Sequence, residues 1–352
     1  MKVLVKTPIL LSRLFSGYKR RGIKYLTKRF FLLALQKLSV RVYYPNTIEI
    51  ETTTKCNLNC KMCDHSWRVG KTGNMSFENF KKIVDQFKFS WIYSPDVDLT
   101  GFGEVFMNPD FLKMCEYIKS KKSDTFVHFT SNFTLLTPEV AEKLIRLGID
   151  SIYISLDGAT KETYESIRIN GKWDTVISNL RSLIELKRKL NSNKPKIAIN
   201  CVALQENVHE LPMLIQLANN LGISNISVTP ELLFDKNRES LKADANDFKT
   251  FFREAQLLAD NYDINISTAY FIKHPIKKCM NPWNKIYITY DGFLFPCCSS
   301  TAPRTKMIND NFGNCLEQDF KELWNSERYK KFRNDVRCGI VPRVCRNCQV
   351  YG

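Results

Sequence analysis

Apolar and polar residues alternate along most of the chain with two different periods. Short runs rich in β-branched residues predict six strands, at residues 47–53, 96–100, 125–130, 151–155, 196–202 and 225–229. Stretches with apolar residues every three or four positions predict helices between them, at residues 77–87, 110–121, 138–147, 173–190, 208–221 and 247–260. Consecutive strand–helix units imply a parallel sheet with right-handed crossovers. Because a closed barrel has eight such units, we expect an α/β fold, a partial (βα)6 TIM-like barrel.

The pattern changes after residue 268. Residues 285–290 and 293–296 flank an Asp-Gly pair and predict a hairpin, residues 320–333 predict a helix, and the tail is rich in cysteine. A module this small buries little apolar surface, so we expect a metal centre to hold it. The predicted domains are a basic amphipathic helical extension (1–45), the partial barrel (46–268) and a small cysteine-rich module (269–352).

Positive charge is concentrated at the N-terminus. The net charge is +16, but residues 1–48 carry 11 Lys and Arg and no acidic residue, which leaves +5 for the rest. The pI of about 9.3 therefore does not indicate nucleic-acid binding, and we expect no nucleic-acid partner. The basic helix predicts a cytoplasmic protein with peripheral contact to the inner face of the membrane. A helix packed on the barrel and a mitochondrial transit segment are the alternatives.

Cysteine carries the strongest chemical signal. With no secretory signal, the 12 cysteines are expected to be reduced, and clustered thiols then indicate metal binding or catalysis. Cys56, Cys60 and Cys63 form a C-x3-C-x2-C triplet after the first predicted strand, where parallel α/β barrels place their reactive groups. Three thiolates can hold a soft metal centre that keeps one position open. A zinc site is the alternative, and His65 is the nearby candidate for its fourth ligand.

Several short motifs follow successive strands in the same way. Gly101-Phe102-Gly103-Glu104 follows the second strand, Thr130-Ser131-Asn132 the third, Ser155-Leu156-Asp157-Gly158 the fourth and Val202–Leu204 the fifth. With the cysteine triplet, their order resembles the radical S-adenosylmethionine (SAM) superfamily. Phe102 interrupts the paired glycines of the family pattern, and Val105 stands in place of its proline.

The resemblance implies a [4Fe–4S] cluster on Cys56, Cys60 and Cys63, with SAM bound at its open iron. The residues expected to contact SAM are Met62, Gly101, Gly103, Glu104, Ser131, Asn132, Ser155, Asp157, Arg168, Val202 and Leu204. Glu104 corresponds to the residue that contacts the SAM amine, Arg168 to one that contacts its carboxylate, and Ser155 and Asp157 to residues near the ribose.

The C-terminal cysteines resemble the SPASM/twitch extensions of the same superfamily. The resemblance implies one auxiliary [4Fe–4S] cluster held by Cys279, Cys298, Cys345 and Cys348, with Cys297 as the alternative to Cys298. A zinc ribbon on the same thiols is the competing interpretation. Cys315 and Cys338 are then spare, and each is a buried inert thiol, a ligand to a second centre or a hydrogen-atom donor to a substrate radical.

The function implied is that of a radical SAM oxidoreductase or epimerase. It would form a 5′-deoxyadenosyl radical and oxidise or epimerise a sugar-like or peptide substrate. A peptide or protein maturase of the same superfamily is one alternative, and a non-catalytic zinc-binding adaptor is an alternative of another class. Expected partners are a sugar, nucleotide sugar, lipid-linked or peptide substrate, and an electron donor such as flavodoxin or ferredoxin.

Overall fold

A nine-stranded sheet forms the body of the protein in a computed structural model. The model describes residues 44–63, 72–90, 94–230, 243–268, 275–298, 310–346 and 348. The strands are β1 Thr47–Ile50, β2 Asp96–Asp98, β3 Val127–Ser131, β4 Ser151–Ser155, β5 Lys196–Ala203, β6 Asn225–Pro230, β7 Asn265–Thr268, β8 Lys285–Ile288 and β9 Leu294–Phe295. Their order across the sheet is β7-β6-β5-β4-β3-β2-β1-β8-β9. All neighbours are parallel except β8 and β9.

Helices follow most of the strands. They are α1 Phe77–Val84, α2 Phe111–Lys121, α3 Pro138–Arg146, α4 Lys161–Ile167, α5 Trp173–Lys189, α6 Leu211–Leu221, α7 Ala245–Asn261, α8 Asn281–Asn284, α9 Phe320–Trp324 and α10 Glu327–Cys338. The six strands and six barrel helices that the pattern predicts are present, with ends displaced by a few residues. Strand β7 and helix α4 were not predicted, because each is too short to show a period of its own.

The strand order decides where the reactive face lies. From β1 to β7 each new strand is added on the same side of the previous one. Right-handed crossovers then place all the connecting helices on one face of the sheet. The opposite face is the inner face of an open partial barrel, and the carboxyl ends of the parallel strands meet along one rim.

Alternation along β1 separates the two faces. Ile48 and Ile50 are buried in the hydrophobic core that the sheet forms with its helices. Glu49, between them, points to the inner face because successive side chains of a strand alternate. The same period places Asp98 of β2 and His128 of β3 on the inner face, where His128 Nδ1 lies 3.6 Å from Asp98 Oδ1. The hydrophobic core therefore lies between the outer face of the sheet and the helices, and these inner-face positions are polar.

The C-terminal hairpin is part of the main sheet. Strand β8 pairs with β1 in parallel, with Lys285 opposite Thr47 and Ile288 opposite Ile50. The sequence pattern predicts the hairpin but not its attachment to the barrel. The helix predicted at 320–333 is two helices, α9 and α10. Ser326 lies between them, and its hydroxyl accepts a hydrogen bond from Tyr329 N at 3.2 Å, which makes it the N-cap of α10.

The predicted N-terminal helical extension lies outside the described residues, as does His65. In the part of the chain that the structure describes, no helix has the length and apolar character needed to cross a membrane.

Candidate functional site

The first cysteine cluster lies in the loop at the carboxyl end of β1. Backbone N–H groups of Asn59 and Lys61 donate to the carbonyl oxygens of Ile169 and Ile167, both at 3.0 Å. The loop is therefore fixed to the end of α4 by main-chain hydrogen bonds. These bonds fix the backbone that carries the three thiols at the rim.

The three thiols of this loop lie within electrostatic reach of one another. Burial raises the pKa of Cys60 to about 11, and the charges of Cys63 and Cys56 add to the shift. Burial likewise raises the pKa of Cys56, with a contribution from Cys63. Within the described residues, no three His, Cys, Asp or Glu side chains are grouped closely enough to hold a metal ion. The donor set is nevertheless three soft ligands at one strand end, which suits iron–sulfur ligation.

Glu104 is the buried carboxylate next to the cysteine loop. It is 3% exposed, and its Oε1 accepts from the Ser131 hydroxyl at 2.7 Å while its Oε2 accepts from Asn132 N at 2.6 Å. Burial raises the pKa of Glu104, and these hydrogen bonds oppose the shift. Two neighbouring strand ends, those of β2 and β3, are thereby joined at the rim.

Asn132 connects this carboxylate to the cysteine loop. Its side-chain nitrogen donates to Asn57 Oδ1 at 2.9 Å and lies 4.0 Å from Cys56 Sγ. Gly103 brings the two loops together, because a Cβ at this position would lie 2.5 Å from the carbonyl oxygen of Lys55. The interrupted glycine motif therefore keeps the residue that the close approach requires.

Asp157 and Arg168 form a buried ion pair on the other side of the loop. Asp157 is fully buried, and its Oδ2 lies 2.5 Å from both Nε and Nη2 of Arg168. Its Oδ1 accepts from Val202 N at 2.7 Å. Arg168 Nη1 in turn lies 3.6 Å from Cys60 Sγ. Burial would lower the pKa of Arg168, but the charges of Asp157 and Cys60 raise it, so the guanidinium stays charged.

This pair gives Asp157 a positioning role within the protein. Each of its oxygens accepts a hydrogen bond, one from Arg168 and one from Val202 N. The carboxylate therefore fixes Arg168 and the end of β5, and its place near the SAM ribose stays a prediction. The Arg168 guanidinium, 12% exposed, is the group of the pair that reaches the cysteine loop.

Two polar residues of the rim were not predicted. The Asn207 side chain donates to the carbonyl oxygens of Asp157 and Val202, both at 2.9 Å, and accepts from Leu204 N at 2.7 Å. Glu210 accepts hydrogen bonds from the start of α4, including Ala159 N at 2.6 Å. Neither residue belongs to a recognisable motif, so only the fold reveals that Asn207 fixes the expected adenine wall at 202–204 and that Glu210 fixes the start of α4.

Three other predicted SAM residues lie at the same rim. Met62 is in the cysteine loop, half-buried, and Ser155 is the last residue of β4. Gly101 lies so close to β1 that a Cβ there would be 2.4 Å from Cγ of Glu51. Ten of the eleven predicted SAM residues thus lie at the carboxyl ends of β1 to β5 or in the loops that follow them, and Arg168, at the end of α4, reaches the same rim through its pairing with Asp157. Their contact with SAM stays a prediction.

The second cysteine cluster comes from three separate segments. Cys279 ends a short 3-10 helix, Cys297 follows β9, and Cys345 and Cys348 share a turn closed by a hydrogen bond from Cys348 N to Cys345 O at 2.9 Å. Burial raises the pKa of Cys345, and the charges of Cys297, Cys279 and Cys348 add to the shift. The thiols of Cys279, Cys297 and Cys348 are therefore within electrostatic reach of Cys345.

Cys298 faces a different environment from Cys297. Burial raises its pKa, followed by the charge of Glu49, while Lys285 opposes the shift. Glu49 and Lys285 are ion-paired on the inner face, and Glu49 Oε2 is buried without a hydrogen-bond partner in the described part of the protein. Cys297 therefore lies in the electrostatic surroundings of Cys345, and Cys298 in those of Glu49 and Lys285; which of the two is the ligand stays a prediction.

The two spare cysteines lie apart from these groups. Cys315 is 1% exposed, and its carbonyl oxygen accepts from Gln86 Nε2, at the outer end of α1, at 2.7 Å. Cys338 is exposed and is the last residue of α10. Among the contacts of the described residues, none joins either cysteine to the rim that holds Glu104 and Arg168.

Comparisons with known proteins agree with this geometry. A model of the radical SAM superfamily matches residues 50–218, and a model of the SPASM iron–sulfur cluster-binding domain matches residues 279–349. The tungsten-containing aldehyde ferredoxin oxidoreductase cofactor-modifying protein of Pyrococcus furiosus is 28% identical over 86% of each chain. The PqqA peptide cyclase of Gluconobacter oxydans is 22% identical over 87% of this chain and 83% of its own.

A solved structure shares the fold. Streptococcus suis SuiB bound to S-adenosylmethionine superposes with a TM-score of 0.65 at 17% identity, covering 92% of this chain and 78% of SuiB. The fold and the strand-end cysteine loop define an α/β enzyme with an iron–sulfur centre at the open rim of a partial barrel. The chain belongs to the radical SAM superfamily and carries a C-terminal SPASM domain.

Membership implies a [4Fe–4S] cluster, SAM and auxiliary iron–sulfur binding in the SPASM region. The residues present fit these groups. Three cysteines share one loop at the rim, three more are within electrostatic reach of Cys345, and the Arg168 guanidinium and Glu104 carboxylate flank the first loop as opposite charges. SAM carries an amine and a carboxylate, so a site with both signs of charge is complementary to it.

Proposed function

We propose that this protein is a radical SAM enzyme that oxidises a peptide by two electrons: a hydrogen atom of a C–H bond would pass to the 5′-deoxyadenosyl radical, and the substrate radical would then lose its remaining electron to an iron–sulfur cluster bound by the protein and a proton to solvent. The observation that carries the radical SAM chemistry is the convergence of Glu104, Arg168 and the cysteine loop on one rim. The cluster, when bound, supplies the electron that cleaves SAM to methionine and a 5′-deoxyadenosyl radical.

The protein's own residues bind, orient and exclude water. Glu104 is held by Ser131 and Asn132 and faces the loop as a preorganised acceptor for an ammonium group. Arg168 is held by Asp157 and presents a charged donor on the opposite side. Because both are buried, their interactions with a bound zwitterion are stronger than in water.

The peptide as substrate is supported by a relative. The PqqA peptide cyclase is named for a peptide and aligns over most of both chains. The Pyrococcus furiosus protein is named for modifying a cofactor, which supports a small molecule instead and gives the second candidate. The sugar-like substrates implied by the sequence belong to that second class.

Two-electron oxidation is preferred over epimerisation because of where the cysteines lie. Epimerisation requires a thiol beside the substrate, and Cys315 and Cys338 have no described contact with the rim. Cys298 lies near the inner-face pair of Glu49 and Lys285. It is therefore the candidate hydrogen-atom donor, and epimerisation with Cys298 as donor is the alternative to oxidation. Replacement of Cys298 by Ala leaves an oxidation intact and abolishes an epimerisation.

The radical chemistry is tested without a substrate. The protein is reconstituted anaerobically with iron and sulfide and given SAM and a strong reductant. We expect 5′-deoxyadenosine from the native chain and none from the Cys56→Ala, Cys60→Ala, Cys63→Ala variant. Tightly held zinc, with no 5′-deoxyadenosine, would favour the zinc-binding adaptor.

The substrate class is tested by comparing cells that produce the native chain with cells that produce the triple-alanine variant. Mass spectrometry of the peptide fraction should reveal a peptide that has lost two hydrogens only where the native chain is present. An equivalent change confined to the small-molecule fraction would contradict the peptide proposal. An unchanged mass together with an inverted stereocentre would support epimerisation.

A further inference from the structure

The loop between β5 and α6 contacts both ends of helix α4. Glu210, at the α6 end of this loop, accepts hydrogen bonds from the hydroxyls of Thr160 and Thr163 at 2.8 and 2.6 Å. Thr160 is the N-cap of α4, so these bonds hold the start of the helix. In the last turn of α4, Ser166 Oγ donates to Glu206 Oε2 at 3.4 Å. One short loop therefore holds α4 at its start and near its end.

Glu206 also holds the cysteine loop. Lys61 stands between Cys60 and Cys63 in the sequence, and its Nζ donates to both carboxylate oxygens of Glu206, at 2.7 and 2.9 Å. The backbone N–H of Lys61 donates to Ile167 O at 3.0 Å. The cysteine loop is thus joined to α4 by the main chain of Lys61 and to the β5–α6 loop by its side chain.

These contacts link the segments that are expected to bind SAM. Residues 202–204, the expected adenine wall, come directly before the segment that contains Glu206. Arg168, expected to contact the SAM carboxylate, is the C-cap of α4, and its Nη1 lies 3.6 Å from Cys60 Sγ. The Lys61–Glu206 ion pair therefore ties the loop expected to carry the first cluster to the segment expected to face the adenine.

We propose that the Lys61–Glu206 ion pair is a positioning contact for SAM, which holds the cysteine loop and the adenine wall at the separation that bound SAM requires. The inference rests on SAM binding, which superfamily membership implies, and not on the peptide oxidation proposed above. A cofactor that contacts two segments binds more tightly when they are already held together, because less conformational entropy is lost on binding. Lys61 and Glu206 act through the backbone that they hold, so they are positioning residues rather than catalytic ones.

The exposure of the pair sets the size of the expected effect. The side chains of Lys61 and Glu206 are 33% and 39% exposed. Ion pairs that are open to solvent contribute modestly, so loss of this pair should weaken SAM binding about threefold. Removing one partner leaves no buried charge, so the variants should fold like the native chain.

A double-mutant cycle tests the pair. Lys61→Met and Glu206→Gln each remove one charge and keep a side chain of similar length. The full chain is reconstituted with iron and sulfide, and the Kd for SAM is measured by equilibrium dialysis without a reductant, so that SAM is not cleaved. We expect each single variant to keep its iron and to bind SAM about threefold more weakly. The double variant should bind no more weakly than either single variant, because the second change removes nothing further.

Lys189→Met and Glu185→Gln are the matched control. These two residues form a surface ion pair on α5, with Lys189 Nζ 2.9 Å from Glu185 Oε1. Among the contacts of the described residues, none joins either of them to the cysteine loop or to the β5–α6 loop. The same chemical changes should therefore leave the Kd for SAM at its native value.

Three results would overturn the proposal. One is the native Kd for SAM in Glu206→Gln, and another is loss of iron in that variant, since the pair would then hold the cluster rather than SAM. The third is about ninefold weaker binding in the double variant, the product of the two single effects, which would mean that the two residues act independently. A native chain that keeps its cluster but binds no SAM would overturn the radical SAM function as well, so the two failures are distinguishable.

Discussion

The strand-end site and the C-terminal site hold their cysteines in opposite ways. At the strand-end site, buried charges surround the thiols, and each charge has a specific partner, such as Ser131 for Glu104 and Arg168 for Asp157. In the C-terminal module the described packing is aromatic instead: the rings of Tyr329 and Trp324 lie 4.8 Å apart, and the guanidinium of Arg333 lies 4.0 Å from the Trp324 ring.

The difference matches what each site has to hold. A cluster with an open iron binds a charged, polar cofactor, and fixed charges orient it. A cluster with four protein ligands needs to be buried, and its potential is set by hydrogen bonds and solvent exposure. The comparison shows that the cysteines alone do not define the two sites. Charged residues distinguish the strand-end site, and aromatic residues distinguish the C-terminal site.

Cys297→Ala and Cys298→Ala should separate the two sites most sharply. We expect Cys297→Ala to lose the auxiliary cluster completely, because it removes one of four thiolate ligands, and to keep the strand-end cluster. Cys298→Ala should keep both the strand-end cluster and the auxiliary cluster. Iron and sulfide analysis with Mössbauer spectroscopy measures the outcome. Loss of the auxiliary cluster in Cys298→Ala, with retention in Cys297→Ala, would restore Cys298 as the ligand.

Asp157→Ala tests how far the strand-end site depends on its charges. Removing one partner of a buried ion pair leaves Arg168 uncompensated, and we expect a loss of about 3–5 kcal/mol in the free energy of unfolding. Production of 5′-deoxyadenosine should fall with it. Asp174→Ala is the control, because Asp174 is 74% exposed and pairs with Lys161 at the surface. If urea unfolding gave the same loss in the free energy of unfolding for both variants, burial of the Asp157–Arg168 pair would be unimportant.

Gly103→Ala is the smaller perturbation. Its Cβ would lie 2.5 Å from the carbonyl oxygen of Lys55, so the cysteine loop must shift, at a cost of about 1–3 kcal/mol. Gly339→Ala is the control, because Gly339 has φ of +81° and no atom lies within 4 Å of its Cβ. This change strains only the backbone at the end of α10, at a cost of about 1–2 kcal/mol. We expect slower SAM cleavage in Gly103→Ala alone. Equal cleavage rates at similar stability would show that the loop tolerates displacement.

The strand–helix alternation and the cysteine spacing were enough to predict the partial barrel and the cysteine loop at its rim. The reason is that a buried parallel strand and its amphipathic helix carry their periods locally. The same holds for a C-x3-C-x2-C loop, whose cysteines are close in the chain itself. The predicted start of the helix at residue 138 is confirmed for the same reason, because a helix cap is a local hydrogen bond, here from Val140 N to the Thr137 hydroxyl.

Tertiary structure decided the relations between distant residues. The surroundings of Cys298 could not be read from the sequence, because only the pairing of β8 with β1 brings Lys285 and Glu49 together beside it. Asn207, Glu210 and the pairing of Asp157 with Arg168 were likewise decided by the fold. The sequence by itself determined the local periods and ligand types. Strand order determined which charges, rings and thiols meet, because those contacts join residues far apart in the chain.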